Sequence, residues 1–206
     1  MTVSGIARKG KSNTLCVLTL DDGSEHVLLY ESVALLGVRK GDVLSGEELE
    51  RLILHSDKLR AAASAATYAG SRLCSEFEVR KNLGRKGYSE DAQDYAVEKL
   101  KEYGFVSDGE FAKAFARSKV SSGGKTKIRH ELRAKGVSDE HIQSAIGGID
   151  DDELEANARR LAQKYMARKQ RTQKDIQSLY RYLASRGYDY SLISQIVRDY
   201  SGQDGE

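Results

Sequence analysis

The 206-residue sequence contains no proline and no tryptophan. Proline is the residue that most often breaks a helix, so long helical stretches meet no covalent obstacle. No apolar run approaches the ~20 residues that a membrane helix needs. The N-terminal residues also lack the apolar core of a signal peptide. These absences predict a cytoplasmic protein with no membrane contact.

Cysteine and net charge are also scarce. The two cysteines, Cys16 and Cys74, are far apart and in no metal-ligand spacing, so neither a disulfide framework nor a cysteine-based metal site is expected. Charged residues make up 31% of the chain, yet the net charge is only +2. The total charge therefore does not indicate nucleic-acid binding, and the local distribution of charge has to be considered instead.

The N-terminal part of the sequence differs from the rest. Two β-prone runs, 14–20 and 27–30, flank the turn-forming Asp21-Asp22-Gly23-Ser24, which predicts a β-hairpin. A short helix is expected around Ser32–Leu36. Ser45-Gly46-Glu47-Glu48 has the pattern of a capping box and predicts the start of a further helix.

From residue 58 onward the sequence consists of three copies of one pattern. In each copy two apolar residues, four positions apart, precede a glycine. A serine or aspartate lies two positions after that glycine. The three sets are Val79, Leu83, Gly87 and Ser89; Ile128, Leu132, Gly136 and Ser138; and Leu179, Leu183, Gly187 and Asp189. Glycine tolerates the left-handed conformation at a helix end, and serine or aspartate caps the next helix. The pattern predicts three helices in each copy.

The expected fold is therefore mainly α, with three tandem copies of a three-helix repeat and a small N-terminal segment that contains the β-hairpin. The expected boundaries are 1–57 for the N-terminal hairpin and helix extension, then 58–106, 107–150 and 151–206 for the three repeats. A unit of this size buries little surface alone, so neighbouring repeats are expected to stack on one another.

No arrangement of residues indicates an enzyme. Gly123-Gly124-Lys125-Thr126 resembles the end of a phosphate-binding loop, but Lys119 stands where the loop needs its first glycine. A single phosphate site at a helix N-terminus remains an alternative, and a flexible loop is favoured. Asp150-Asp151-Asp152-Glu153 is interpreted as a linker and helix start rather than a metal cluster. We expect no cofactor, no metal and no catalytic residue.

Clusters of basic residues are the strongest functional signal. Eight basic residues and one acid lie between Lys113 and Lys135, and seven basic residues and no acid lie between Arg159 and Lys174. The spacing of Lys125, Arg129 and Arg133 would place them in one stripe on a helix. We favour a surface that binds phosphates or acidic groups over a merely solvated face. For the eleven tyrosines, Tyr88, Tyr188 and Tyr200 among them, packing is favoured over base stacking.

Two stretches carry a resemblance to a known family. The first is Tyr68…Arg72-Leu-Cys-Ser75-Glu-Phe-Glu-Val79…Leu83…Lys86-Gly87-Tyr88. The second is Gly104-Phe105-Val-Ser-Asp108…Phe111-Ala112…Phe115…Ser118, followed by Ile128…Glu131-Leu132…Lys135-Gly136-Val137-Ser138. They resemble the signatures of the RecX family, small bacterial regulators of the RecA recombinase, strongly over about residues 58–150 and more weakly in the third repeat.

The resemblance implies a curved, elongated stack of repeats that lies in the groove of a RecA–DNA filament. It further implies inhibition of RecA's ATP hydrolysis and strand exchange in recombination, DNA repair and the SOS response. We expect a monomer that contacts RecA and the phosphates of single- or double-stranded DNA. The alternative is a stand-alone helical repeat protein that binds nucleic acid without sequence specificity. The candidate contacts are Arg72, Arg80, Lys81, Arg85, Lys86, Arg117, Lys119, Lys125, Lys127, Arg129, Arg133, Lys135, Arg168, Lys169 and Arg171.

Overall fold

A three-stranded antiparallel sheet begins the computed structural model, which describes residues 1–202. The strands are β1 (Val3–Arg8), β2 (Leu15–Leu20) and β3 (Glu25–Leu29), in the order β1-β2-β3. Strands β2 and β3 form the predicted hairpin, and Gly23 in its turn has a φ of +83°. Strand β1 was not predicted, because a register shift near Gly5 interrupts its alternation of inward and outward residues.

Two helices pack against this sheet. Helix α1 (Tyr30–Leu35) includes much of the short helix that was expected, and α2 (Gly46–Gly70) begins at the predicted capping box. The Ser45 hydroxyl accepts the Glu48 amide at 3.2 Å, and the Glu48 carboxylate accepts the Ser45 amide at 2.8 Å. The buried core that sheet and helices share consists of Val3, Cys16, Leu18, Leu20, Leu28, Val33, Leu44, Leu49 and Leu52.

Helix α2 is one unbroken helix of 25 residues. The boundary expected between residues 57 and 58 lies inside it and coincides with no break in secondary structure. Its second half buries Ala61, Ala65 and Ala69, each one turn apart. Small side chains at a helix contact allow a close approach, and α4 (Glu90–Glu102) packs there. Helix α3 (Glu76–Arg85) lies between them in sequence. The second half of α2, α3 and α4 are the helices at the position expected for the first repeat and are called the first three-helix domain below.

Six further helices form the second and third three-helix domains. The second domain consists of α5 (Asp108–Lys119), α6 (Lys125–Ala134) and α7 (Asp139–Gly147), and the third of α8 (Asp151–Met166), α9 (Gln173–Ser185) and α10 (Tyr190–Ser201). Four of these helices start at side-chain caps that accept a backbone N–H, namely Ser107, Ser138, Asp150 and Thr172. Short polar side chains at these positions satisfy amides that the helix itself leaves unpaired.

The three predicted helix-ending glycines have the conformation that their position requires. The φ angles of Gly87, Gly136 and Gly187 are +82°, +74° and +80°. In each turn the amide of the residue after the glycine donates to the carbonyl of the buried leucine of the repeat, at 3.2–3.3 Å; these leucines are Leu83, Leu132 and Leu183. This bond satisfies a carbonyl that the helix end would otherwise leave free.

The chain divides into two compact units. One comprises Met1–Leu73 and Glu78–Val106, and the other comprises Cys74–Phe77 and the chain from Ser107 onward. The second unit has a continuous core that contains, among others, Phe111, Ile128, Leu132, Ile142, Leu154, Leu179, Leu183, Ile193 and Ile196. Within residues 1–202, no helix is both long enough and apolar enough to cross a membrane.

Candidate functional site

The predicted basic stripe lies on α6, at one residue per turn. At its start the Lys125 ammonium forms an ion pair with Asp151, and at its end Arg133 Nε donates to Asp139 Oδ1 at 2.8 Å. Arg129, between them, has no carboxylate within 4 Å among the described residues. Hydrogen bonding to Arg133 lowers the pKa of Asp139, and the positive charges of Arg133 and Arg129 lower it further.

A second set of charges on α6 faces α5. The Glu131 carboxylate lies 3.8 Å from Lys127 Nζ and 3.9 Å from Lys119 Nζ. Lys135, at the end of α6, places its ammonium 5.7 Å from the ring centre of Phe111 and 5.5 Å from that of Phe115. Folding therefore gathers Lys119, Lys127 and Lys135 around one carboxylate and two aromatic rings.

Folding also reduces the charge that the sequence suggests for this region. At least five of the eight basic residues between positions 113 and 135 lie within 4 Å of a carboxylate: Lys113, Lys119, Lys125, Lys127 and Arg133. Three of the four carboxylates involved, those of Glu110, Asp139 and Asp151, lie outside the counted segment. The count along the sequence therefore overstates the local field. Among the described residues, Arg117 and Arg129 are the candidates in this segment that have no carboxylate within 4 Å and no aromatic ring beneath their charge.

The cations of the first three-helix domain have mixed surroundings. The Arg72 guanidinium lies over the Tyr68 ring, 4.5 Å from its centre, and contacts the Tyr68 hydroxyl. Arg80 is paired with Asp94, and Lys86 donates to the Ser64 hydroxyl. The remaining candidates of this domain, Lys81 and Arg85, are exposed on α3.

The third group of candidates lies in the loop between α8 and α9. Lys169 Nζ is 4.9 Å from the ring centre of Tyr165 and 3.6 Å from Asp175 Oδ1. The guanidinium of Arg171 is 5.7 Å from the ring centre of Tyr200, and Arg168 is exposed. Arg159 and Arg160 of α8 line a cleft with Lys169 and Arg171. The sequence placed these two arginines in the basic cluster but gave no reason to choose them.

The segment Gly123–Thr126 is neither a flexible loop nor a free phosphate site. The amide of Gly124 donates to the carbonyl of Arg186 at 2.9 Å, and the amide of Thr126 donates to the carbonyl of Gly187 at 3.1 Å. A Cβ on Gly124 would lie 2.2 Å from the Gly187 oxygen. The start of α6 is thus packed backbone to backbone against the turn between α9 and α10, and amides that could have held a phosphate are occupied. The segment does connect two helices, as the loop interpretation held, but it is packed, and two amides of the alternative phosphate site are already bonded. The sequence could not show this, since the contact joins residues about 60 positions apart.

The acidic run at the start of α8 is a helix start. The Asp150 carboxylate accepts the Asp152 amide at 3.0 Å, and three acids follow in the first turn, where the helix dipole favours negative charge. Within the part of the chain that the structure describes, no group of three or more histidine, cysteine, aspartate or glutamate residues is arranged to hold a metal.

Tandem three-helix domains with cations on α6 and on the α8–α9 loop define the class of this protein: a mainly helical repeat protein with basic surface features. Comparison with known proteins identifies the class more closely. Residues 107–146 match the model of the second three-helix domain of RecX, and residues 151–197 match that of the third.

The similarity extends over most of the chain. Regulatory protein RecX of Clostridium botulinum (strain Alaska E43) is 33% identical over 184 residues, which cover 87% of each chain. Regulatory protein RecX of Clostridium perfringens (strain 13) is 30% identical over 166 residues, 79% of this chain and 78% of that one. A crystal structure of regulatory protein RecX superposes with a TM-score of 0.71 at 19% identity, covering 96% of this chain and 98% of that one. The chain belongs to the RecX family of regulatory proteins.

Proposed function

We propose that this protein binds the RecA–DNA filament and slows RecA's ATP hydrolysis and strand exchange. Membership of a family of regulatory proteins supports the class of function, and the resemblance to RecA regulators supports the partner. The observation that carries the proposal is the stripe on α6, in which Arg129 has no carboxylate partner among the described residues while Lys125 and Arg133 have exposed ones.

The carboxylates of these ion pairs are exposed, which leaves Arg133 available to a partner and Lys125 less so. The side chains of Asp151 and Asp139 are 79% and 66% exposed, and those of Lys125 and Arg133 are 22% and 49% exposed. Such pairs contribute between zero and about 1 kcal/mol, so a DNA phosphate or an acidic RecA side chain can replace the internal carboxylate at little cost. The stripe would then act as three cations spaced by single helical turns.

Inhibition would result from several weak contacts made at once. Each contact on an exposed surface is weak alone, but contacts on one chain raise one another's effective concentration. The α6 stripe and the α8–α9 loop belong to different domains of the same unit and offer two such sets. A protein that bridges neighbouring RecA protomers in this way would resist the changes that each round of ATP hydrolysis requires.

The test measures RecA's ATPase rate on single-stranded DNA as the concentration of this protein is increased. A reaction without DNA and a reaction with this protein alone are the blanks. Arg129→Glu together with Arg133→Glu should raise the concentration for half-inhibition by about tenfold or more, and either change alone should do less. The matched control is Lys9→Glu with Lys11→Glu, an equal change of charge on exposed residues of the sheet segment. This control should inhibit like the unchanged protein.

A variant of opposite sign sharpens the test. Asp139→Asn removes the carboxylate that pairs with Arg133, so it should lower the concentration for half-inhibition. The proposal is wrong if RecA's rate stays constant with the protein in excess, or if the Lys9/Lys11 control loses as much inhibition as the Arg129/Arg133 variant. Retained DNA binding with an unchanged RecA rate would favour the stand-alone nucleic-acid-binding alternative.

A further inference from the structure

A cleft of about 750 Å³ opens in the third three-helix domain, between α8, α10 and the loop that joins α8 to α9. Its volume is in the range of small-molecule and cofactor sites. Four cations line it, together with one carboxylate, that of Asp199; the cations are Arg159, Arg160, Lys169 and Arg171. Glu155 and Asp175, just outside the lining, pair with Arg159 and Lys169. The cleft keeps a smaller excess of positive charge, which favours an anionic ligand.

The cations of the cleft differ in how far their charge is already neutralised. Arg159 donates to both Glu155 and Asp199, so two carboxylates oppose its charge. Arg160 instead donates to neutral oxygens, the carbonyl of Ser121 and the side-chain oxygen of Asn157, each at 3.1 Å. No carboxylate of the described residues lies within 4 Å of Arg160, and its charge remains available to a ligand.

Arg171 has an unusual backbone. Its φ of +59° is the only positive φ at a non-glycine residue in the described chain, and side chains other than glycine rarely adopt this conformation. The capping box of the next helix holds the loop in place: the Thr172 hydroxyl accepts the Asp175 amide, and the Asp175 carboxylate accepts the Thr172 amide and hydroxyl. The result is a guanidinium at the cleft, 5.7 Å from the ring centre of Tyr200.

The same cleft also offers one aromatic side chain. Tyr200 lines it and is half-exposed, while Met166 and Ile196 beside it are buried. A ligand that contacts both the cations and the Tyr200 ring needs phosphate groups and a flat base that is not paired with another base. Single-stranded nucleic acid has both, whereas a duplex hides its base faces, and cationic grooves with aromatic platforms are the usual solution for binding it.

We propose that this cleft binds one nucleotide of a single-stranded nucleic acid, with phosphates on Arg160, Lys169 and Arg171 and the base on Tyr200. The site deepens the proposed function, because it names a direct DNA contact within the filament, yet it does not need RecA. It also gives Tyr200 a role other than the packing role that the sequence suggested.

The experiment measures fluorescence anisotropy of a labelled oligothymidylate of about 12 nucleotides with the full chain, in the absence of RecA. Arg171→Gly removes the guanidinium and suits the positive φ. It should weaken binding about fivefold or more and reduce the slope of log K against log salt by about 0.7, the loss of one phosphate contact. Arg181→Ala is the matched control, because Arg181 is an exposed cation of the same domain that does not line the cleft and is not a candidate contact. It should change the Kd by less than about twofold.

Two further residues test the base and the charge of the cleft. Tyr200→Phe keeps an aromatic ring and should bind like the unchanged protein, whereas Tyr200→Leu should weaken binding about fivefold or more, the loss of one stacked base. Asp199→Asn removes the carboxylate of the cleft and should tighten binding. A duplex of the same length should bind more weakly than the single strand.

Several results would overturn the proposal. One is an equal effect of Arg171→Gly and Arg181→Ala; another is a duplex that binds as tightly as the single strand. Polyglutamate and an unlabelled oligonucleotide of equal charge can be compared as competitors. If polyglutamate displaces the labelled oligonucleotide equally well, the cleft binds an acidic protein surface instead. Equally strong competition by ATP would assign it to a free nucleotide. Because RecA is absent, tight binding at this cleft with no effect on RecA's ATPase would refute the proposed function alone.

Discussion

The turns that end the middle helix in the first and third three-helix domains have the same backbone but different neighbours. Gly87 and Gly187 have φ angles of +82° and +80°, and the same hydrogen bond closes both turns. A Cβ built on Gly87 would meet nothing within 4 Å, whereas one on Gly187 would lie 2.3 Å from the backbone nitrogen of Lys127. The repeated sequence therefore predicts the backbone conformation that the two turns share. It does not predict the close contact with α6 that only the turn at Gly187 makes.

The largest expected effect follows from this difference. Gly187→Ala should lower the free energy of unfolding by about 3 kcal/mol, because it adds an overlap with the α6 backbone to the cost of a left-handed alanine. Gly87→Ala has the left-handed cost alone, and we expect about 1 kcal/mol. Urea unfolding followed by circular dichroism measures both, and equal losses would show that the close contact at Gly187 is absent.

Hydrogen exchange locates the damage of Gly187→Ala. The amides of Gly124 and Thr126 donate across this contact, so they should lose protection in the variant. Amides of the β2–β3 hairpin lie in the other unit and serve as the internal control. Loss of protection in the hairpin as well would contradict a local effect.

Gly124 tests the other side of the same contact without any strain in its own backbone. Its φ is −83°, which any residue adopts, but its Cβ would lie 2.2–2.6 Å from backbone atoms of Gly187 and Tyr188. Gly124→Ala should therefore cost about 2 kcal/mol from overlap alone. Gly147, at the end of α7, has open space around its Cβ position, so Gly147→Ala is the control and should leave the melting temperature unchanged or raise it.

The helices and their ends could be predicted from the sequence because they depend on neighbouring residues. Apolar spacing, the capping box at Ser45 and the glycine at position 136 each act within one or two turns of chain, and each prediction was confirmed. Strand β1 was missed because its structure depends on pairing with β2 and includes a register shift. The continuity of α2 was missed because an apolar stretch and an alanine-rich stretch were assigned to separate helices.

The candidate site was less predictable, because it depends on residues that are distant in sequence. Lys125 meets Asp151 and Arg159 meets Asp199 only after folding, so a count of charges along the chain cannot give the local field. The Gly124–Gly187 contact likewise has no local signal, since a Gly-Gly-Lys-Thr sequence alone is typical of a loop or of a phosphate site. The basic clusters identified cationic segments, and the structure showed which of these cations are paired with a carboxylate and which are not.

The smallest expected effect concerns the tyrosines that follow the glycines, Tyr88 and Tyr188. Tyr188 is 5% exposed, and its hydroxyl has no hydrogen-bond partner among the described residues. Tyr188→Phe removes this unpaired group and keeps the ring, so the free energy of unfolding should stay constant or rise by up to about 1 kcal/mol at neutral pH. Tyr88→Phe, at a half-buried ring, is the control and should be neutral.

The effect at Tyr188 should grow with pH. Burial raises the pKa of Tyr188 above its ordinary value of 10.0, and the charge of Tyr182 adds to the rise. The unfolded chain therefore loses this proton at a lower pH than the folded chain, so the unchanged protein loses stability as the pH rises above about 10. Tyr188→Phe cannot ionise, and its advantage over the unchanged protein in urea unfolding should be larger at about pH 10.5 than at about pH 7. A clear loss of stability in Tyr188→Phe at both pH values would instead mean that the hydroxyl has a stabilising partner in solution.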